Sequence, residues 1–176
     1  GAKMLEHPEQ ILEQECDILV PAALENQIHT ENVANIKAKI IGEAANGPIS
    51  SNAEAVLNEK KILIIPDIFL NAGGVTVSYF EWLKDLSHVR FGKLFKRFDE
   101  HSYGNMVDII ERTTGKKLTD TERKVATHGA EEIDLVYSGL EEVMILAYKQ
   151  IRETWKKNSE ITTLRTAAYV TAIDKV

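Results

Sequence analysis

Three short apolar runs, Asp17–Val20 (DILV), Lys39–Glu43 (KIIGE) and Lys61–Ile65 (KILII), constrain this chain more than any other feature. The third, continued by Pro66-Asp67, is short, continuous and β-branched, the pattern of a strand buried on both faces. Between the runs, Thr30–Ile36 and Ser51–Lys60 read as short helices. Ser51 with Glu54 three residues on makes a capping box, which satisfies amides that a helix start leaves orphaned. Strands separated by helices at this interval pair in parallel through right-handed crossovers. Three strands make a thin sheet with at least one edge to cover. Leu5–Gln14 reads as a helix feeding the first strand, and Gly1-Ala2 stands ahead of Met4. The expectation is therefore a piece cut from a longer chain.

After Val75 the pattern turns almost wholly helical. Val75–Leu86 carries Tyr79, Phe80 and Trp82 among apolar residues at helical spacing. Asn105–Thr114 ends at Gly115, placed for a left-handed C′ position. Thr119 and Glu122 form a second capping box opening a helix to about Thr127. Glu131–Asn158 reads as one long helix that can break near Ser138-Gly139, with Leu140, Val143, Met144, Ala147, Ile151 and Trp155 on one face. Thr162 or Thr163 caps a last helix through Ala167, Ala168, Val170 and Ile173. The fold class is thus α/β: half of a nucleotide-type, Rossmann-like parallel sheet of about three strands, then a mostly helical segment. The division falls at 1–74 and 75–176, with a polar, charged insertion at about 88–137 whose capping signals favour order over disorder.

Composition excludes several function classes. At 176 residues and 44% hydrophobic the chain can bury one good core. Its net charge of −6 argues against a nucleic-acid surface. The one basic stretch, Arg90–Arg97, is followed at once by Asp99 and Glu100 and reads as a solvated helix face. Cys16 is alone beside an apolar run, so it reads as a buried thiol, and the five histidines show no metal-ligand spacing. No apolar stretch reaches the length of a membrane span.

In an open parallel sheet, ligands bind beyond the carboxyl ends of the strands. Three loops qualify: Pro21–Asn26, Ala44–Pro48, and Asp67 through Asn71-Ala72-Gly73-Gly74. Small residues recur in them (Ala22, Ala23, Ala44, Ala45, Ala72), leaving room for a flat ligand against backbone. Each loop also holds an asparagine, which can donate and accept at once. The glycine pair before Val75 reads as a turn where strand hands over to helix, either a plain turn or a close approach to ligand. The phosphate-binding, hydrolase and metalloprotease motifs are absent, and the lysines sit at helix ends or on charged faces, where solvation is their expected role.

At these loops the chain resembles the glutamate dehydrogenase family, with its leucine, phenylalanine and valine relatives. The resemblance rests on Cys16–Ala23 (CDILVPAA), Ala38–Pro48 (AKIIGEAANGP), Ile65-Pro66-Asp67 with Asn71–Trp82 (NAGGVTVSYFEW), and Leu164–Val170 (LRTAAYV), four motifs in order along almost the whole chain. It implies that Ala22, Asn46 and Asn71 contact the nicotinamide half of NAD or NADP. It implies that Val75 and Ser78 line the substrate pocket, with the Ser78 hydroxyl on the distal carboxylate of glutamate; an apolar residue there would favour leucine or valine. The implied reaction is reversible oxidative deamination of L-glutamate to 2-oxoglutarate and ammonia, with relatives acting on branched or aromatic amino acids and a non-catalytic assembly module as alternatives. The family's catalytic lysine and aspartate belong to an upstream domain, so no catalytic residue and no metal ligand is expected in this chain. The resemblance further implies a homo-oligomer (a hexamer), with the insertion an antenna shorter than that of animal enzymes. Neither nucleic acid nor membrane is an implied partner, and the compartment is the cytoplasm of a bacterium or the mitochondrial matrix of a eukaryote.

Overall fold

The computed structural model describes residues 5–87 and 91–176, so Gly1-Ala2, Met4 and Arg90 of the basic stretch lie outside the described residues. The chain forms two compact units, residues 1–75 with 144–176, and residues 76–143.

The first unit is built on the three apolar runs. They form β1 (Ile18–Leu19), β2 (Ile40–Gly42) and β3 (Leu63–Ile65), shorter than the runs themselves because only their middles pair. All pairing is parallel in the order β1-β2-β3, with Ile18 opposite Ile40 and Gly42 opposite Ile65. The first crossover needs no α-helix. The expected helix at Thr30–Ile36 is only a 3-10 turn at Val33–Asn35, while Asn32 Oδ1 accepts the His29 N–H at 2.9 Å and closes the loop locally. Leu5–Gln14 is likewise 3-10, at Pro8–Glu13, with proline at its first position.

The second crossover is α1 (Ser51–Glu59). Its N-cap is Ser50, whose hydroxyl accepts the Ala53 N–H, so the cap stands one residue earlier than the expected Ser51 box. That shift takes Glu54 out of the capping position. The helix ends through Lys61 at φ 59°, where the N–H groups of Lys61 and Ile62 close back on Asn58 and Leu57. Buried Ile28, Ile41, Ala53, Leu57 and Ile64 pack between α1 and the sheet.

Beyond β3 come α2 (Asp67–Leu70) and, after Asn71 alone, α3 (Ala72–Ser87). Gly73 and Gly74 are therefore helical residues, and neither has positive φ; the expected glycine turn between strand and helix is absent. In this unit Gly42 of β2 is closely packed: a Cβ there would lie 2.9 Å from Leu70 Cδ2 of α2. A second apolar cluster, Ile151, Ile161, Leu164, Ala167 and Ala168 with Phe69 and Trp155 against it, seats the last helix.

In the second unit, α4 (Phe91–Thr114) ends as anticipated at Gly115, φ 70°, whose N–H donates to Glu111 O at 2.9 Å. The Thr119–Glu122 box opens α5 (Asp120–Ala126) with both reciprocal hydrogen bonds, at 2.8 and 3.3 Å. Arg123 ties α5 back to Asp108 and Glu111 of α4. Helix α6 (Glu132–Lys157) runs through Ser138-Gly139 without a break. Gly139 serves instead as a contact point, for a Cβ there would sit 3.3 Å from the Phe80 ring. The chain closes with α7 (Leu164–Ile173), capped by Thr163. No helix among the described residues is long and apolar enough to cross a membrane.

The two kinds of glycine give opposite expectations. Gly42→Val overpacks the β2–α2 contact and should lower stability by about 1–3 kcal/mol. Gly74→Ala, whose new Cβ meets nothing within 4 Å, should raise it by about 0.5–1 kcal/mol. Urea midpoints at constant m-value distinguish them.

Candidate functional site at the carboxyl ends of the strands

The loops after β1, β2 and β3 are stitched together by backbone. Ala44 N–H donates to Pro21 O at 3.0 Å, holding the Ala22 loop beside the β2 loop. Asn26 N–H, with φ 52°, donates to Gly47 O at 2.9 Å, and Ile28 bridges Ile49 in parallel. Gly47 itself lies at φ 51°, a genuine left-handed turn position.

Across this edge Asn71 Nδ2 donates to Asn46 Oδ1, so the structure brings two of the expected asparagines into direct contact. The Ala22 loop is tied to the same edge, and the Ala22 side chain is exposed. Val75, 72% exposed, and Ser78, also exposed, both lie on α3. Val75 belongs to the first unit and Ser78 to the second.

Beneath the asparagines is a charged cluster that sequence patterns did not single out. Arg165, in the first turn of α7, points its guanidinium at three carboxylates. Its Nε donates to both oxygens of Glu54 at 2.9 Å, its Nη1 to Asp67 Oδ1 at 2.7 Å, and its Nη2 to Glu43 Oε2. Asp67 is the hub. Its N–H donates to Glu43 Oε2 at 2.9 Å, its Oδ2 accepts the Gly47 N–H at 2.9 Å, and its carbonyl accepts the Asn71 N–H at 3.1 Å. Glu54, read from sequence as half of a capping box, is spent here instead. Arg165 lay inside a quoted motif without a role, and the available signal was a cation in the first turn of a helix, where the dipole disfavours it.

Glu43 is fully buried, and its Oε1 has no hydrogen-bond partner among the described residues. Burial pushes its carboxyl up from the ordinary 4.5, against the Asp67 N–H and the Arg165 charge. Burial would also raise Asp67, but the Gly47 and Ile68 N–H groups and Arg165 outweigh it and hold that carboxyl below 3.8. For Arg165, desolvation opposes the charge, yet Glu54 and Glu43 prevail and keep the guanidinium protonated. Three carboxylates share one cation, and burial raises the pKa of the most buried of them, Glu43. No group of residues that could hold a metal ion occurs among the described residues.

The chain has known relatives. The family model for Glutamate/Leucine/Phenylalanine/Valine dehydrogenase matches residues 1–134. The chain belongs to this family. It is 52% identical over its whole length to a mitochondrial glutamate dehydrogenase of Dictyostelium discoideum, covering 35% of that protein. It is 43% identical, again over its whole length, to a probable glutamate dehydrogenase of Sinorhizobium fredii, covering 40% of it. The chain thus spans little more than a third of these relatives. Among solved structures, glutamate dehydrogenase from Peptoniphilus asaccharolyticus aligns with a TM-score of 0.55 at 32% identity, over 90% of this chain and 30% of that one. The hetero-hexameric enzyme of Thermus thermophilus aligns at 0.62 over 99% of this chain and 32% of that one; at 20% identity the likeness is one of fold. The family's members are oxidoreductases, and the α/β reading with a parallel Rossmann-like sheet stands.

The opposed shifts of Glu43 and Asp67 predict the pH dependence of stability. A raised folded-state pKa means the native chain binds that proton more tightly, so stability falls as pH rises above 4.5 through the Glu43 range. The lowered Asp67 contributes stability at higher pH that is lost as pH falls below 3.8. Urea unfolding across this range should show Glu43→Gln abolishing the decline on the alkaline side. Asp67→Asn should abolish the loss on the acid side.

Proposed function

We propose that this chain forms part of the subunit of an NAD(P)-dependent glutamate dehydrogenase, catalysing the reversible oxidative deamination of L-glutamate to 2-oxoglutarate and ammonia. The observation that carries the reading is the Asn71–Asn46 side-chain contact at the carboxyl ends of β2 and β3. That bond uses the Asn46 acceptor and one proton of Asn71. The pair keeps a donor on Asn46 and an acceptor on Asn71, the complement of a carboxamide. Ala22, on the loop whose Pro21 carbonyl accepts the Ala44 N–H, offers a small surface for a flat ring. The nicotinamide cofactor, when bound, supplies the hydride acceptor; Asn46 and Asn71 orient its amide and Ala22 leaves room for its face.

Val75 and Ser78 serve the substrate, Ser78 as hydrogen-bond donor to the distal carboxylate of glutamate. None of the chain's own residues is assigned the proton transfers. The edge of the sheet supports a larger domain, since Ile18 and Val20 of the β1 run are 60% and 54% exposed, apolar surface that a longer sheet would cover. The segment at about 88–137 is read as an antenna-like insertion, and the working assembly as a homo-hexamer. The compartment would be the cytoplasm of a bacterium or the mitochondrial matrix of a eukaryote.

The test is reduction of NAD or NADP, followed by absorbance, with glutamate, leucine, phenylalanine and valine offered separately to the full-length protein. Turnover of glutamate alone is expected, and preference for any other substrate would overturn the assignment. Ser78→Val should lower kcat/KM for glutamate by about 10- to 100-fold, the cost of leaving a carboxylate without its donor. The chain by itself should show no turnover.

A further inference from the structure

Arg165 lies far along the chain from the cofactor loops, on a helix seated in its own apolar cluster through Leu164, Ala167 and Ala168. A cation in the first turn of a helix opposes the macrodipole, so α7 gains nothing locally from it. Its donors go instead to carboxylates after β2, after β3 and in α1. Glu43 ends the β2 run, Asp67 follows β3, and Glu54 lies in the crossover between them. Only a planar fork with donors on several edges can meet three carboxylates at once, and lysine offers no such fork.

The connection continues from Asp67 to both asparagines. Its Oδ2 holds the Gly47 N–H, next to Asn46 in the chain, and its carbonyl holds the Asn71 N–H. We propose that Arg165 is a positioning residue for cofactor binding: through Asp67 and Glu43 it fixes the β2 and β3 loops so that Asn46 and Asn71 meet and present their remaining amide groups to the nicotinamide. The proposal rests on the reading of those asparagines as cofactor contacts. Apolar packing alone would not achieve this, because burial is non-directional and leaves two exposed loops free to drift.

A purely structural role is separated by charge. Arg165→Met leaves Glu43 buried without its cation, and that variant loses stability for this reason alone. Combining it with Glu43→Gln removes the buried charge and should return the urea midpoint most of the way to the wild-type value. In the full-length enzyme the double variant should still raise the KM for NAD(P) about tenfold, with KM for glutamate changed less than about twofold. Arg165→Lys should recover part of the loss.

An unchanged cofactor KM in the double variant, where Asn46→Ala raises it, overturns the positioning role. An unchanged cofactor KM in Asn46→Ala itself overturns the nicotinamide reading instead. The clamp is then judged in the chain itself by the side-chain amide resonances of Asn71 in nitrogen-15 spectra. Slow proton exchange in the wild type and at least about tenfold faster exchange in the double variant supports it, and equal rates refute it.

Discussion

A single guanidinium sets the geometry at the carboxyl end of the sheet. Arg165 reaches from α7 to Glu43 after β2, to Glu54 in α1 and to Asp67 after β3, so four elements converge on one group. Two apolar clusters lie to either side of it, one between α1 and the sheet, the other around α7. Each buries its own surface, but hydrophobic burial does not specify which turn of one element faces which turn of another. Fixed donors and acceptors do. Breaking a buried pair of this kind strands a charge, a cost of about 3–5 kcal/mol, whereas replacing all its members together can cost little. The cluster therefore contributes specificity of arrangement more than net stability.

That specificity is delivered to the loops. Asp67 links Arg165 to both asparagine loops, using its N–H, its carbonyl and both carboxylate oxygens. Few residues in a small domain are so completely committed. A ligand that meets Asn46 and Asn71 already in register is spared the ordering of two exposed loops, at about 0.5–1.5 kcal/mol for each side chain immobilised. The rigidity lies in buried groups, while Asn46 is exposed and Asn71 half-buried.

Much of this was legible in the chain. The three apolar runs, the Thr119 box and the Gly115 terminus follow from local periodicity and capping chemistry, and each formed where those rules placed it; of the expected α6 face, Ile151 and Trp155 join an apolar cluster while Val143 is exposed. The misreadings have tertiary causes. Ser50 displaces Ser51 as cap, and Glu54, freed from capping, turns to a cation over a hundred residues away in sequence. The Gly73-Gly74 pair looked like a turn because glycine permits one, yet Asn71 alone joins α2 to α3, and the helix takes the glycines in. Gly139 looked like a break and is a place where the Phe80 ring approaches the helix. Arg165 was invisible because its partners are contiguous only in three dimensions.

Two local rules are broken at this point: a cation in the first turn of α7, and a fully buried carboxyl with one oxygen unpaired among the described residues. The first forgoes about 0.3–1 kcal/mol of favourable dipole interaction, the second about 1–3 kcal/mol of desolvation. Four apolar residues of the same total volume would hold α7 to the sheet without either cost. They could not accept the Gly47 N–H while accepting from α7 at the same residue, which is what Asp67 does and what places Asn46 opposite Asn71. Departures from local preference tend to concentrate where geometry, rather than stability, is being selected. By that reasoning the charge at Arg165 belongs to the loops after β2 and β3 more than to the core it adjoins.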